Sequence, residues 1–478
     1  MKNILLILMA LLPILSISQK QGNIWYFGNH AGLDFNGGAP VPLTNGSTYN
    51  AGSFGSEGTS VISDSSGTLL FYSNGHHIWN RNHQVMPNGD SLFGNISSTQ
   101  SALIVPLPGS SRYFYVFTTD DFDNDTLKYG FRYSVVDICL ENGLGDVISN
   151  QKNIKLLDTV AEKLTAIRHS NGLDYWIITH KYFSDAFYSY HLSSLGIVNT
   201  VVSHIGSIHP SSMVGIGGAI GQLKASPNGQ KLAIVNGQSA PNIAEYFDFD
   251  KNTGIISNVV TIQSNPNYSY YGVSFSPDNS KLYISCWLNN NGVYQFNLNS
   301  GGGNADSVLA SKYMVSNKVS YAMQLGVDGK IYLAKVANPG NYLAVINNPN
   351  NLGLNCNYLD SAVYLNGGTV SMGLPNFVDS YSYSNTFFNC NSLGTNEITL
   401  DAEIIVYPNP SNAKFEIETN LKINSIAIYN VHGKLIYFKK NTSKQDNEID
   451  LSSEPNGVYF VIARTDAGII NRKIIVEK

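Results

Sequence analysis

Between residues 58 and 335 the chain repeats one pattern: an apolar strand, a short polar turn, and a second strand of nearly unbroken apolar character. The clearest copies are Leu223-Lys224-Ala225-Ser226-Pro227-Asn228-Gly229-Gln230-Lys231-Leu232-Ala233-Ile234 and Val273-Ser274-Phe275-Ser276-Pro277-Asp278-Asn279-Ser280-Lys281-Leu282-Tyr283-Ile284. A third is Leu325-Gly326-Val327-Asp328-Gly329-Lys330-Ile331-Tyr332-Leu333, and weaker copies occupy 63–72, 105–117 and 167–178. The turn positions Gly67, Gly109, Gly172, Gly229, Asn279 and Gly329 lie 42 to 63 residues apart, the spacing of propeller blades and too long for short solenoid repeats. Sheets that pack face to face against two neighbours bury both faces of their middle strands and lose alternation, as Leu282-Tyr283-Ile284 and Leu232-Ala233-Ile234-Val235 do. Strands further out, such as Val293-Tyr294-Gln295-Phe296-Asn297-Leu298, recover a mixed pattern.

Six such units begin near residues 58, 100, 163, 219, 271 and 321. The ends of this region supply a seventh. Met372-Gly373-Leu374-Pro375-Asn376-Phe377-Val378 reads as a lone innermost strand, and Ile24-Trp25-Tyr26-Phe27, Leu33-Asp34-Phe35 and Val41-Pro42-Leu43 read as the second, third and fourth strands of that sheet. The expectation is an all-β, seven-bladed β-propeller over residues 19–379, closed non-covalently; six or eight blades are the alternatives.

Composition adds three points. Charged residues make up only 13% of the 478, about half the ~25% usual for soluble domains, while 43% are hydrophobic, too many for a disordered chain. A net charge of −5 argues against nucleic acid as the main partner. Charge is also uneven: residues 404–478 hold 18 charged side chains in 75 residues, about twice the density before them. The Ser-, Asn- and Tyr-rich stretch 380–403 reads as a linker to a separate C-terminal domain at 404–478. There Phe415-Glu416-Ile417-Glu418 and Ile426-Ala427-Ile428-Tyr429 alternate with period two, and His432-Gly433 and Asn456-Gly457 supply turns. Six or seven short strands in that length predict a small immunoglobulin-like β-sandwich. At the other end, Lys2, the apolar run 4–12, and Ser16 and Ser18 read as a signal peptide over 1–18, cut before Gln19. No later stretch reaches membrane-spanning length.

Five blocks of the C-terminal domain, in order, are Tyr407-Pro408-Asn409-Pro410-Ser411, Ile428-Tyr429-Asn430-Val431-His432-Gly433-Lys434, Asp450-Leu451-Ser452-Ser453, Pro455-Asn456-Gly457-Val458-Tyr459 and Lys473-Ile474-Ile475-Val476. Together they resemble the type A C-terminal sorting domain of the type IX secretion system. The resemblance implies a Bacteroidota protein that crosses the inner membrane by its signal peptide and the outer membrane by this tail. The tail is then removed, and the protein is released or attached to the cell surface. Tyr407, Pro408, Asn409, Pro410, Gly433, Lys434, Gly457, Val458, Tyr459 and Lys473 are the sorting-motif positions it implies, with the type IX machinery as partner.

A second set of blocks is Trp79-Asn80-Arg81-Asn82-His83-Gln84-Val85-Met86-Pro87-Asn88-Gly89, Ser98-Thr99-Gln100-Ser101, Arg132-Tyr133-Ser134-Val135-Val136-Asp137, Glu162-Lys163-Leu164-Thr165-Ala166 and Asp174-Tyr175-Trp176-Ile177-Ile178-Thr179-His180. It resembles the N-terminal propeller module of large secreted Bacteroidota surface proteins, gliding-associated ones included. The Ser-Pro-Asp type turns are similar to the WD-repeat-like units of the TolB propeller. This resemblance implies a fold and no settled activity.

The chain carries no His-Glu-x-x-His zinc motif, no phosphate-cradling glycine loop and no G-x-S-x-G nucleophile elbow. Asp120-Asp121-Phe122-Asp123-Asn124-Asp125 is the densest acidic cluster, and Asp121, Asp123 and Asp125 are candidate Ca²⁺ ligands; no cofactor is required. Any two of His76, His77 and His83 could share a metal, although polar loop residues beside Trp79 are the plainer reading. Of the four cysteines, Cys356 and Cys390 flank the closing strand and are the disulfide candidates, with Cys139 and Cys286 read as small buried apolar side chains. Tyr268-Ser269-Tyr270-Tyr271 offers rings for stacking on sugars or for packing between blades. The leading expectation is a secreted or cell-surface propeller that binds a glycan, protein or matrix component. The rival is a polysaccharide hydrolase with paired carboxylates at the channel.

Overall fold

A computed structural model describes residues 19–48, 57–121, 129–209, 218–237, 242–264, 268–288, 292–335, 340–381, 383, 390, 405–419, 423–431, 434–440, 448–465 and 468–478. The signal peptide, most of the 380–403 stretch, Asp123, Asp125 and Gly433 lie outside these residues. The chain divides into two compact units, 1–390 and 391–478. Tyr381, Tyr383 and Cys390, which fall in the stretch read as a linker, belong to the first.

In the first unit the described strands form seven sheets in chain order. Their first strands are Ile24–Phe27, Thr59–Ser63, Ala102–Pro106, Val160–Arg168, Leu223–Ala225, Ser269–Phe275 and Met323–Leu325. Of the six unit starts read from the sequence, five lie within three residues of a first strand, and Leu223 is four residues from the remaining one. Within each sheet the strands follow one another as antiparallel neighbours, and the first strand of each sheet packs beside the first strand of the next. The turn residues explain the regularity. Gly67, Gly109, Gly172, Gly229, Asn279 and Gly329 all have φ between 64° and 90°, which residues with a β-carbon rarely adopt. At two turns a serine fixes the geometry: Lys231 N–H donates to Ser226 Oγ at 2.9 Å, and Lys281 N–H donates to Ser276 Oγ at 2.9 Å. Between sheets the filling is aromatic and aliphatic, as where Trp25 meets Tyr332 edge-on at 5.4 Å across the first and seventh sheets.

Closure departs from expectation. Ile24–Phe27, Ala31–Asp34 and Val41–Leu43 do form one sheet in the expected order, but the closing strand does not become its innermost member. Residues 369–372 instead bridge the gap: Thr369 exchanges both backbone hydrogen bonds with Asn29, and Ala322 N–H donates to Met372 C=O at 3.0 Å. The chain then crosses to the second sheet, where Pro375–Asn376 pairs in parallel with Thr59 and Ser60. Two residue properties account for this. A β-carbon on Gly373 would collide with the Glu57 carbonyl, so its absence lets the chain cross there. Pro375 has no N–H to offer a ladder, and it accordingly stands at the first position of this two-residue strand.

The second unit holds two antiparallel sheets. One has the strands Ile405–Tyr407, Lys414–Glu418 and Glu448–Asp450; the other has Leu435–Lys440, Ile423–Asn430, Gly457–Thr465 and Gly468–Val476. Phe415, Ile417 and Ile449 of the first sheet and Ile426, Ile428, Val461 and Ile474 of the second share one core. The period-two alternation of these strands is therefore a one-sided burial pattern. No helix among the described residues is long and apolar enough to cross a membrane.

Candidate functional site

The centre of the first unit is filled by the chain itself. Asn376 Nδ2 donates to Leu164 C=O at 2.8 Å, its Oδ1 accepts from Lys224 Nζ at 3.1 Å, and its backbone carbonyl accepts from Ser60 Oγ at 2.7 Å. One buried side chain and its carbonyl thus touch the innermost strands of three sheets. Further along, Asp379 Oδ2 accepts from Ala225 N–H at 2.7 Å and from the Thr165 hydroxyl, and the Tyr381 hydroxyl bonds Leu325 C=O. Burial, opposed by the Lys224 charge, raises the Asp379 pKa; burial likewise lowers that of Lys224.

Nearer the start of the innermost strands, the blocks quoted for the propeller resemblance converge. Glu162 Oε2 accepts from Thr99 N–H at 2.9 Å and Thr99 Oγ1 at 2.8 Å. Lys163 Nζ donates to the carbonyls of Ala219, Ile220 and Gly221 at 2.9, 2.9 and 3.1 Å. Gln100 stitches two neighbouring strands by bonding the backbone of both Leu164 and Leu223. Glu57 is bonded to the Tyr271 hydroxyl. Desolvation pushes Glu162 up and Lys163 down, since burial penalises the charged form of each. The carboxylates of Glu57 and Glu162 are therefore engaged with the chain's own donors.

Beside Lys163 lie two buried histidines, His180 and His209, with ring centroids 4.6 Å apart. Nδ1 of His180 and both ring nitrogens of His209 have no hydrogen-bond partner. Burial, and then the Lys163 charge, push the His180 pKa down to about 3; burial, then His180 and Lys163, hold His209 well below its usual value. Because the folded pKa lies below the unfolded one, the unfolded chain takes up the proton first. Stability is lost as pH falls below about 6.5, by up to ~1.4 kcal/mol per pH unit per histidine. The variant His209→Phe is expected to show a shallower loss than the native protein between pH 6.5 and 4.5 in urea melts. Equal slopes would show that His209 is already protonated in the folded state.

An open cleft of about 520 Å³ lies between the second and third sheets, lined by His76, Leu92, Phe93, Asn95, Ile96 and Tyr129 among others. Phe93 and Tyr129 stack at 4.5 Å with 13° between their planes, and the Arg132 guanidinium lies 5.1 Å from the Phe93 ring centre. Arg132 is fixed by donating to the carbonyls of Tyr129 and Asn153 at 2.6 and 2.8 Å. Asn153 Oδ1 in turn accepts from Phe93 N–H at 3.0 Å, so the aromatic wall is held from behind.

The residues singled out in the sequence distribute unevenly. Asp121 is buried, and Asp123 and Asp125 lie outside the described residues. His83 is apart from His76 and His77: its Nδ1 pairs with the Tyr72 hydroxyl at 3.1 Å and its Nε2 with Asn45 Nδ2 at 2.9 Å. Tyr270 and Tyr271 are buried, and Tyr268 stacks on Tyr270, so these rings pack the fold. The disulfide expectation is corrected. Cys390 bonds Cys139, with Cα atoms 5.1 Å apart, whereas Cys356 is a free thiol buried in the core of the sixth and seventh sheets beside Tyr283. Pairing depends on spatial approach, and Cys390 lies against the carbonyl of Ile138, the neighbour of Cys139.

In the C-terminal unit the sorting-motif blocks come together. Asn409 Nδ2 donates to Lys473 C=O at 2.7 Å, its Oδ1 accepts from Ile475 N–H at 2.9 Å, and Ser411 continues alongside Val476 as a parallel bridge. Tyr459 OH donates to Pro455 C=O at 2.6 Å, and Lys434 N–H donates to Asn430 Oδ1 at 3.0 Å. Gly457 and Val458 open the strand Gly457–Thr465, paired with the closing strand. Tyr407 is exposed at the end of Ile405–Tyr407, followed by Pro408 and Pro410, each preceded by a cis peptide.

No curated protein matches the sequence. Among solved structures the chain is similar to hydrazine synthase of Kuenenia stuttgartiensis, at 11% identity over 67% of this chain and 86% of that one, with a TM-score of 0.39. It is similar to the β-propeller domain of Cps50 (Swd1) from Myceliophteria thermophila, at 9% identity over 79% and 97% of the two chains, with a TM-score of 0.32. A putative 6-phosphogluconolactonase from Bacteroides uniformis aligns at 12% identity over 77% and 98%, with a TM-score of 0.32. No site residue carries over at such identities. Residues 405–477 match the secretion system C-terminal sorting domain, and the chain thus carries the tail of a protein exported by the type IX system.

Proposed function

We propose that the protein is a secreted or cell-surface binding protein: a seven-bladed propeller, one blade per sheet, delivered by an immunoglobulin-like sorting tail. The match of residues 405–477 to the sorting domain carries the delivery half of this reading. The signal peptide over 1–18 supplies passage across the inner membrane, and the tail engages the type IX machinery at the outer membrane. The binding half rests on the cleft at Phe93 and Tyr129, where a paired aromatic wall adjoins the polar groups of Asn95 and Ser91. Such a surface suits a hydroxyl-rich ring, which makes a glycan the first ligand class to test. A polysaccharide hydrolase, the alternative, needs two carboxylates facing a cleft. Glu57, Glu162 and Asp379 speak against it, because each is hydrogen-bonded inside the filled channel.

The test is fractionation of the native host followed by intact mass. A species outside the cell that begins at Gln19 and lacks the tail from about residue 404 is the expected product. Full-length protein retained in the periplasm would overturn the export reading, and the C-terminal sandwich would then be a binding domain.

A further inference from the structure

We infer that His76, His77 and Asp90 form a binding site for a divalent transition-metal ion, with zinc as the ion that fits their donor set. The two histidines sit between the strands Leu69–Ser73 and Ile78–Asn80, and Asp90 follows the second of these. One ligand atom from each of the three residues lies within 4.8 Å of the others. His77 Nε2 is 3.1 Å from Asp90 Oδ1, and the two imidazoles meet edge to face with centroids 4.6 Å apart.

The backbone that presents them is fixed. Asn74 Oδ1 accepts from the N–H of His76 at 3.1 Å and of His77 at 2.9 Å; the His77 carbonyl accepts from Ser73 Oγ at 2.7 Å, and the His76 carbonyl from Leu92 N–H at 2.9 Å. The side chains keep freedom to close on an ion, since both histidines are half-buried and Asp90 is exposed. Ligand atoms around tetrahedral zinc stand about 3.3 Å apart, given bonds of about 2.0–2.1 Å. The triad reaches that by rotating side chains through roughly an ångström.

Two imidazole nitrogens and one carboxylate oxygen are zinc-type donors with a fourth position open, whereas calcium and magnesium take oxygen alone. His83, the third histidine of this stretch, is excluded because both its ring nitrogens are held by Tyr72 and Asn45. His76 belongs to the triad and also lines the cleft, so the ion sits at the cleft rim. The metal site stands independently of what the cleft binds.

The test uses residues 19–478 purified without a histidine tag, stripped of metal, and titrated with zinc chloride by calorimetry and with cobalt chloride by visible absorption. One ion per chain and a cobalt d–d band are expected. His76→Ala, His77→Ala and Asp90→Asn should each lower affinity by roughly tenfold or more, with the melting temperature of the metal-free protein unchanged, while His83→Gln leaves affinity intact. Failure to bind zinc by about 100 μM, well above the affinity of zinc sites, overturns the assignment. So does binding that survives the His76→Ala, His77→Ala double substitution.

Discussion

Replacing Cys139 and Cys390 together by serine is expected to remove about 5 kcal/mol from the stability of the first unit. The bond closes a loop of 251 residues, and a cross-link that long strips more entropy from the unfolded chain than a short one does. It also holds the end of the segment that threads the channel, so its loss frees Cys390 from the third sheet while Asn376 and Asp379 still anchor the segment upstream. A domain is stable by only about 5–15 kcal/mol, so the loss takes a third or more of the total. Guanidinium unfolding of residues 19–478, read by near-UV circular dichroism, measures it. The native protein with reductant should reproduce the serine variant, and Cys356→Ser should shift the midpoint far less, because Cys356 carries no cross-link. An unchanged midpoint in the double variant would mean the disulfide contributes nothing to folding.

The second large effect is expected from Asn376→Leu, at roughly 3–5 kcal/mol. Leucine is close to asparagine in size, so little cavity forms and the loss is almost wholly polar. Among the described residues the Lys224 ammonium keeps Gln324 as its one direct side-chain acceptor, at 2.7 Å, and the Leu164 carbonyl loses its asparagine donor. An ammonium in that position cannot recover water, because Lys224 is 4% exposed. The measurement is urea unfolding with the m-value held under scrutiny. A drop in midpoint at constant m identifies lost native-state bonds, and a drop of less than about 1 kcal/mol would mean that water reaches the channel.

The sequence made the repeating hairpins legible because their cause is local. A turn that needs positive φ selects glycine or asparagine, and sheets buried on both faces select unbroken apolar strands; both leave marks within a dozen residues. The sorting tail was legible for the same reason, since its blocks are short and ordered, and the fold then brings Asn409 against Lys473 and Ile475. The closing strand was misassigned because Met372-Gly373-Leu374-Pro375-Asn376-Phe377-Val378 has the composition of any inner strand. Nothing local in it reports that Asn376 will meet Leu164, Lys224 and Ser60. The disulfide failed likewise: flanking the same strand does not imply proximity, and Cys139 is 251 positions away from its partner. Asp90 could not be joined to His76 and His77 from spacing alone, whereas His83 stood closer in sequence and is turned to Tyr72 and Asn45.

By itself, then, the sequence determined the strand-turn-strand units and the C-terminal sorting tail with its secretory character. Each is written in periodicity, turn chemistry or short ordered motifs, which act over a few residues. The tertiary structure alone decided how the ring is closed, that the channel is filled by residues after 374, which cysteines bond, and which side chains meet at the cleft. Those depend on contacts between residues from tens to more than three hundred positions apart, and such contacts are selected by packing and hydrogen-bond satisfaction across the whole unit, which no local pattern encodes.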